Sequence, residues 1–289
     1  MAYEFDWVDA FTTRPFGGNA CAVVHDADDI TVDDRTRLVR ETSLSECAYL
    51  VGSDVADFGA RYYLAEREIL MAGHPTIATV TSMIARGLVA SNSDFTLEVG
   101  AGVMPISVRD GEITMTQAAP RFLREYEPSD IAGIYGLEAG DIVGNPQVVS
   151  TGTPFCITVL KDHDALKRAV LDVDALQNWR AIDGNAQSQT MEPFLVTLDG
   201  AEGGDTFSRL LLPPPMPAED PFTGSATGCM AAYLWAKDLI DAPAFVAEQG
   251  HWMGRPGTAQ VEVLGPRDAI EGVNVGGRGV VLMSGLLHI

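Results

Sequence analysis

Positive charge is scarce in this chain. Among its 289 residues lysine occurs only at Lys161, Lys167 and Lys237, and the 19 lysines and arginines face 40 aspartates and glutamates, for a formal net charge of −21. No lysine–arginine cluster relieves that balance, so no nucleic-acid partner is expected, because a phosphate polyanion would be repelled. The acid excess suits either ordinary solubility tuning or a high-salt cytoplasm. Long apolar runs are also missing: no stretch of about 18 apolar residues is present to span a bilayer. The opening MAYEFDWVDAF has neither the basic stretch nor the apolar core of a secretory signal. A cytoplasmic location with no membrane partner is the expectation. Cysteine is sparse and scattered: Cys21, Cys47, Cys156 and Cys229 form no C-x-x-C pair, which argues against a disulfide framework and against zinc. His25, His163, His251 and His288 show no metal-ligand spacing, so no metal is expected. A phosphate-binding G-x-x-x-x-G-K-[ST] loop is absent. Val275-Gly276-Gly277-Arg278-Gly279 lies too near the C-terminus to open a βαβ unit and reads as a turn before the last strand. Gly224-Ser225-Ala226-Thr227-Gly228 does not have the G-x-S-x-G spacing of a serine hydrolase.

What the chain does have is enough apolar residues, 46%, for a substantial core, and an internal repeat. Pro15-Phe16 precedes the apolar stretch Ala20 to Val24, as Pro154-Phe155 precedes Cys156 to Leu160; both read as a loop feeding a buried strand. Charged segments with helical spacing follow, Val32 to Arg40 and Val173 to Ala181. Next, Ser45-Glu46-Cys47-Ala48-Tyr49-Leu50-Val51 aligns with Met191-Glu192-Pro193-Phe194-Leu195-Val196, each a polar entry into a β-rich run. Finally Arg61 to Leu64 and Ser208 to Leu212 lead through polar linkers, the second proline-bearing, into glycine-initiated helices. One opens at Gly73-His74-Pro75-Thr76 and runs through Ile77 to Arg86, and the other opens at Gly224 and runs through Cys229 to Leu239. Apolar and small residues extend around most of both helices, which places them inside something. The expected class is α+β with two pseudo-symmetric halves, each half's strands wrapped around its own central helix. The first half is residues 1–120, completed by a C-terminal strand within 278–289 that includes Val280 to Met283. The second half is 121–277, with the linker near Pro120 to Pro128 and a cleft between the halves.

A helix N-terminus presents unpaired backbone N–H groups and partial positive charge, so two aimed into one cleft make a receptor for a carboxylate or enolate. Gly73 and Gly224 permit close backbone approach, Pro75 sits in a first turn, and Thr76 and Ser225 carry hydroxyls able to cap the helix or touch a ligand. Two well-capped core helices are the plainer reading. Against it, each helix start also carries a titratable group, His74 on one side and Asp220 on the other.

Several separated motifs run in order: Val8-Asp9-Ala10-Phe11-Thr12 with Phe16-Gly17-Gly18-Asn19, Ser45-Glu46, Ala72-Gly73-His74-Pro75-Thr76, and Asp220-Pro221-Phe222-Thr223-Gly224-Ser225-Ala226. Glu248-Gln249-Gly250 and Met253-Gly254-Arg255-Pro256 close the series. Over nearly all its length the chain resembles the phenazine-biosynthesis (PhzF-like) family, within the diaminopimelate-epimerase fold superfamily. The resemblance implies two pseudo-symmetric halves, each a barrel-like sheet around a central helix, usually a homodimer, with no cofactor. It implies that Glu46 moves a proton, that Gly73, His74, Asp220, Gly224 and Ser225 line the pocket, and that Asn19 matches a pocket-side asparagine. The chain departs from its relatives before the first helix, where an aromatic-Thr-Pro turn is usual and Leu64-Ala65-Glu66-Arg67-Glu68 stands instead. Those charged residues either alter the substrate or form a solvated turn. The superfamily's racemases oppose two thiols at the helix starts, where this chain has Gly73-His74 and Gly224-Ser225, so epimerase or racemase chemistry is disfavoured.

The expected chemistry is a cofactor-independent allylic or enol–keto proton shift on a small carboxylate-bearing metabolite. The helix ends stabilise developing negative charge, Glu46 takes a proton and returns it at a conjugated position, and His74 orients the substrate or relays the proton. Burial and the nearby charge of Asp220 are expected to raise the Glu46 pKa. Ser43-Leu44-Ser45-Glu46 also has the spacing of a helix-capping box, although the residues after it read as strand. A binding or sensor protein that keeps the pocket without turnover is the reading from another class.

Overall fold

The computed structural model describes residues 1–182, 192–214 and 216–289; Met191, at the start of one repeat segment, lies outside them. Two strand ladders repeat one plan. The first runs, by hydrogen-bonded neighbour, Gly279–His288, Ala2–Ala10, Asn19–Val24, Cys47–Val51, Phe58–Tyr63, Ser93–Val99, Gly102–Arg109 and Glu112–Gln117. The second runs Arg121–Glu125, Gln147–Ser150, Pro154–Val159, Phe194–Thr197, Thr206–Leu211, Ala244–Gln249, Gly257–Leu264 and Gly272–Gly277. In both, the third and fourth strands are parallel, the fifth and sixth are parallel, and the other neighbours are antiparallel. Parallel neighbours need a crossover, and helices supply it at the matching places. Val32–Thr42 and the pair His163–Arg168 and Val173–Ile182 make the first crossovers; the two central helices, Gly73–Ala85 and Gly224–Ala236, make the second. Antiparallel pairing of Glu112–Gln117 with Gly272–Gly277 joins the ladders.

The C-terminal strand returns to pair with the N-terminal one along its whole length, from Ala2 opposite His288 to Ala10 opposite Gly279. Two expectations need correction. The stretch from Pro120 to Pro128 is not only linker: Arg121–Glu125 is a strand on Gln147–Ser150. Its five side chains are all exposed, so no period-two apolar pattern marks it. Likewise Val275-Gly276-Gly277 ends a strand instead of forming a turn. Glycine is a poor strand former, but a Cβ at Gly277 would lie 2.5 Å from the Phe11 ring, so packing overrides propensity there.

The central helices are buried from Gly73 through Met83 and from Gly224 through Leu234, as their nearly all-round apolar character requires. Ile77, Ala78 and Val80 share one apolar core with Cys229, Met230 and Tyr233. Two outer clusters lie beneath the crossover helices, one around Tyr49 and Tyr63, the other around Tyr135 and Trp179. Among the described residues no helix is long and apolar enough to cross a membrane.

Candidate active site

The two central helices meet at their N-termini. A Cβ on Gly73 would lie 2.5 Å from Gly224 Cα and 2.7 Å from the Ser225 nitrogen, so only glycine permits this approach. Neither preceding residue, Ala72 or Thr223, caps its helix through a side chain, which leaves the first-turn N–H groups to serve a ligand. Phe11 wedges the junction from one side. Its backbone takes the left-handed conformation with φ 61°, uncommon for an aromatic residue, and its ring stacks on Phe222 at 4.2 Å.

Side chains from both ladders converge beside the junction. Asn19, which opens its strand, directs its amide nitrogen to Asp220 Oδ1 at 2.9 Å, the Phe222 carbonyl at 2.9 Å and His74 Nδ1 at 3.2 Å. The two amide N–H groups point at the two closer acceptors, Asp220 and the Phe222 carbonyl, and the tautomer of His74 decides whether Nδ1 is a further acceptor. His74 Nε2 is buried without a partner. Burial pushes the His74 pKa down to about 3, so the imidazole is neutral at any working pH. Thr223 donates its hydroxyl to Asp220 Oδ2 at 2.5 Å, and Gln249 braces the same turn by accepting from the Thr223 N–H and donating to the Asp220 carbonyl. Burial raises Asp220 to about 6, against the lowering effect of the Thr223 and Asn19 hydrogen bonds.

Glu46 sits where the chain leaves the helix Val32–Thr42 and enters the strand Cys47–Val51. Ser43 closes that helix in a left-handed conformation, φ 55°, so the capping-box reading of Ser43 to Glu46 fails: the segment follows a helix and starts none. The Glu46 side chain is 17% exposed, and Oε2 lies 3.7 Å from His74 Nδ1. That oxygen is buried with no hydrogen-bond partner. Burial, and then the negative charge of Asp220, raise its pKa well above the usual carboxylate range. A narrow cavity of about 50 Å³ opens beside it, whose lining includes Ser45, Glu46, Arg67, Asp220, Thr223 and Ser225.

A family description, "Phenazine biosynthesis-like protein", matches residues 8–285. The chain belongs to that family. An uncharacterized isomerase of Escherichia coli, YddE, is 30% identical over 288 residues, covering 95% of each chain. The trans-2,3-dihydro-3-hydroxyanthranilate isomerase of Pseudomonas aeruginosa is 25% identical and covers 98% of each chain. The crystal structure of a Bacillus anthracis phenazine biosynthesis protein of the PhzF family superposes with a TM-score of 0.85 at 25% identity, covering all of both chains. With relatives along its whole length named isomerases, the chain is an isomerase of the PhzF family.

In this PhzF-family chain the expected residues are brought together unequally. Glu46, Asp220 and Ser225 line the cavity; Asn19 and His74 stand behind it in the same hydrogen-bond network, and Gly73 and Gly224 form the helix junction. Thr76 differs: it is fully buried, donates its hydroxyl to the Ala72 carbonyl at 2.7 Å and meets the Tyr62 hydroxyl at 2.9 Å. Its side chain therefore serves the helix start. Sequence reasoning passed over Ser45, whose hydroxyl is buried without a partner on the cavity wall, and over Thr223, Gln249 and the Phe11–Phe222 stack. Ser45 adjoins Glu46 and was legible by position. Thr223 reaches Asp220 only three positions away, whereas Gln249 and the Phe11–Phe222 stack depend on contacts between distant segments that no local pattern encodes.

Proposed function

We propose that the chain catalyses a cofactor-independent proton shift on a small carboxylate-bearing metabolite, with Glu46 as the general acid and base. One observation carries this reading: a desolvated carboxyl oxygen with no partner faces a neutral imidazole beside two uncapped helix N-termini in contact. An unpaired buried carboxylate costs folding free energy, on the order of 1–3 kcal/mol, and such groups persist where function requires them. The substrate carboxylate or enolate oxygen receives the first-turn N–H groups, so charge that develops at the adjacent carbon is stabilised without reorganisation. Glu46 as carboxylate abstracts the C–H proton, and as carboxylic acid it delivers a proton at the conjugated carbon. Neutral His74, beside Asn19, orients a substrate oxygen or guides the proton. Asp220 shapes the electrostatics, since its charge keeps Glu46 basic.

The pseudo-symmetry belongs to the same reading: each ladder wraps its own central helix, residues 1–120 with 278–289 form one half and 121–277 the other, and the catalytic groups are shared across the cleft. Assembly as a homodimer is carried over from the family resemblance. The Pseudomonas relative is named for trans-2,3-dihydro-3-hydroxyanthranilate, which makes that compound a suitable first probe alongside simple β,γ-unsaturated carboxylates. Proton NMR in deuterated buffer is expected to show a double-bond shift with no net redox change and with solvent-exchangeable hydrogen at the protonated carbon. Tight binding of these acids with no turnover would favour a sensor that has kept the pocket.

A further inference from the structure

The cavity beside Glu46 does not hold a small-molecule substrate by itself. At about 50 Å³ it falls well short of the roughly 300–1,000 Å³ usual for small-molecule sites. It adjoins a larger cleft of about 760 Å³, and Leu64, Arg67, Leu212 and Met216 line both. A substrate seated on the helix tips therefore extends past Arg67. Arg67 lies in the turn between the strands Phe58–Tyr63 and Glu68–Ile69, closed by the Leu64 N–H donating to the Arg67 carbonyl at 2.9 Å.

Charge makes this position unusual. In a chain of net charge −21, Arg67 is the one cationic side chain lining the inner cavity among the described residues, and it shares that lining with the acids Glu46 and Asp220. Its guanidinium makes no hydrogen bond or ion pair with another described residue. The neighbouring carboxylates are otherwise placed: Glu68 is 3.8 Å from Arg61 and accepts from the Tyr63 hydroxyl, while Glu66 lines only the outer cleft. The other arginines of the cleft differ as well. Arg180 is paired with Glu192 at 2.8 Å, and Arg40 borders the outer cleft alone.

Resting on the proton-shift reading above, we propose that Arg67 receives a second anionic group of the substrate, so that the preferred ligand is a small dicarboxylate instead of a monocarboxylate. One carboxylate occupies the helix tips next to Glu46. The second meets the planar guanidinium fork at the junction of cavity and cleft, where a two-pronged hydrogen-bonded pair gives both affinity and orientation. Arg67 is then a specificity-determining residue.

The test is calorimetric titration of the full chain with the linear dicarboxylates from malonate to pimelate and with their monomethyl esters. The wild-type chain is expected to prefer at least one diacid over its monoester by about tenfold. Arg67→Gln is expected to abolish that preference while leaving monoester affinity unchanged, and Arg67→Lys to restore part of it. Arg67 is exposed, so an unchanged melting temperature checks that the variants fold. Equal affinities for diacid and monoester in the wild type, or a preference that survives in Arg67→Gln, would overturn the proposal. Glu46→Gln separates the two claims. A lost Arg67 effect with Glu46-dependent turnover intact removes only the second-anion claim, whereas normal turnover in Glu46→Gln removes the underlying reading.

Discussion

At the residue scale, Glu46 trades stability for reactivity. Its folded-state pKa lies above the ordinary 4.5, so the folded chain holds this proton more tightly than the unfolded chain does. Stability is therefore lost as pH rises from about 4.5 through the folded value, and the loss is complete above it. Glu46→Gln removes the penalty and is expected to raise unfolding free energy at pH 7 by on the order of 1–3 kcal/mol, with the gain vanishing near pH 4. Denaturant melts at the two pH values check this; equal gains at both would contradict it. The same ionisation governs catalysis. The ratio kcat/KM is expected to rise with pH through the Glu46 ionisation, well above the usual carboxylate range, with the ionisation of Asp220 near 6 preceding it. No separate imidazole step is expected near pH 6.5, because burial holds His74 down at about 3.

At the element scale, the site depends on two helix ends touching backbone to backbone. Gly73→Ala places a methyl group 2.5 Å from Gly224 Cα, and Gly224→Ala places one 2.7 Å from the Phe11 ring, which is stacked on Phe222 and cannot swing away. Each is expected to destabilise the fold by about 1–3 kcal/mol, the range for overpacking, and to lower kcat/KM by about a hundredfold as the tips separate. Melting curves and initial rates check both effects; a Gly73→Ala variant with native activity would show that the tips need not touch. Much at this scale was legible in the sequence. The glycine-initiated apolar helices and the order of the repeated segments follow from periodicity and repeat spacing. The strand Arg121–Glu125 and the glycine-bearing strand Gly272–Gly277 were not legible, since one has no buried face and the other owes its conformation to Phe11 and its partners.

At the scale of the whole molecule, the chain ends are tied together by Asp6. This buried aspartate on the N-terminal strand sits beside Arg86 and Ser82 at the end of the first central helix and beside Ser284 on the last strand. Burial alone would raise its pKa, but the hydrogen bonds from Arg86, Ser284 and Ser82 together bring it down to about 2 from 3.8. A depressed carboxyl stabilises the fold above its unfolded pKa and loses that contribution as pH falls toward the folded value. Asp6 is thus expected to contribute about 2 kcal/mol at neutral pH and to lose it between about pH 4 and 2. Asp6→Asn is expected to be less stable than wild type at pH 7 and nearly equal to it at pH 2, as thermal melts would show; a difference unchanged across that range would contradict the assignment. Neither this tie nor the Asn19–Asp220 bond could be read from sequence. Each joins residues from different parts of the fold, the second across 201 positions, whereas local patterns report only near neighbours.

What unites these scales is a proton carried by one carboxyl group beside an anion held at two helix tips. The most direct measurement uses a probe acid deuterated at the carbon that loses its proton, followed by NMR in ordinary water with wild type and with Glu46→Gln. The variant is expected to bind the acid with near-native affinity and to release deuterium at least about a thousandfold more slowly. Release at the native rate from a correctly folded Glu46→Gln chain would show that another group moves the proton.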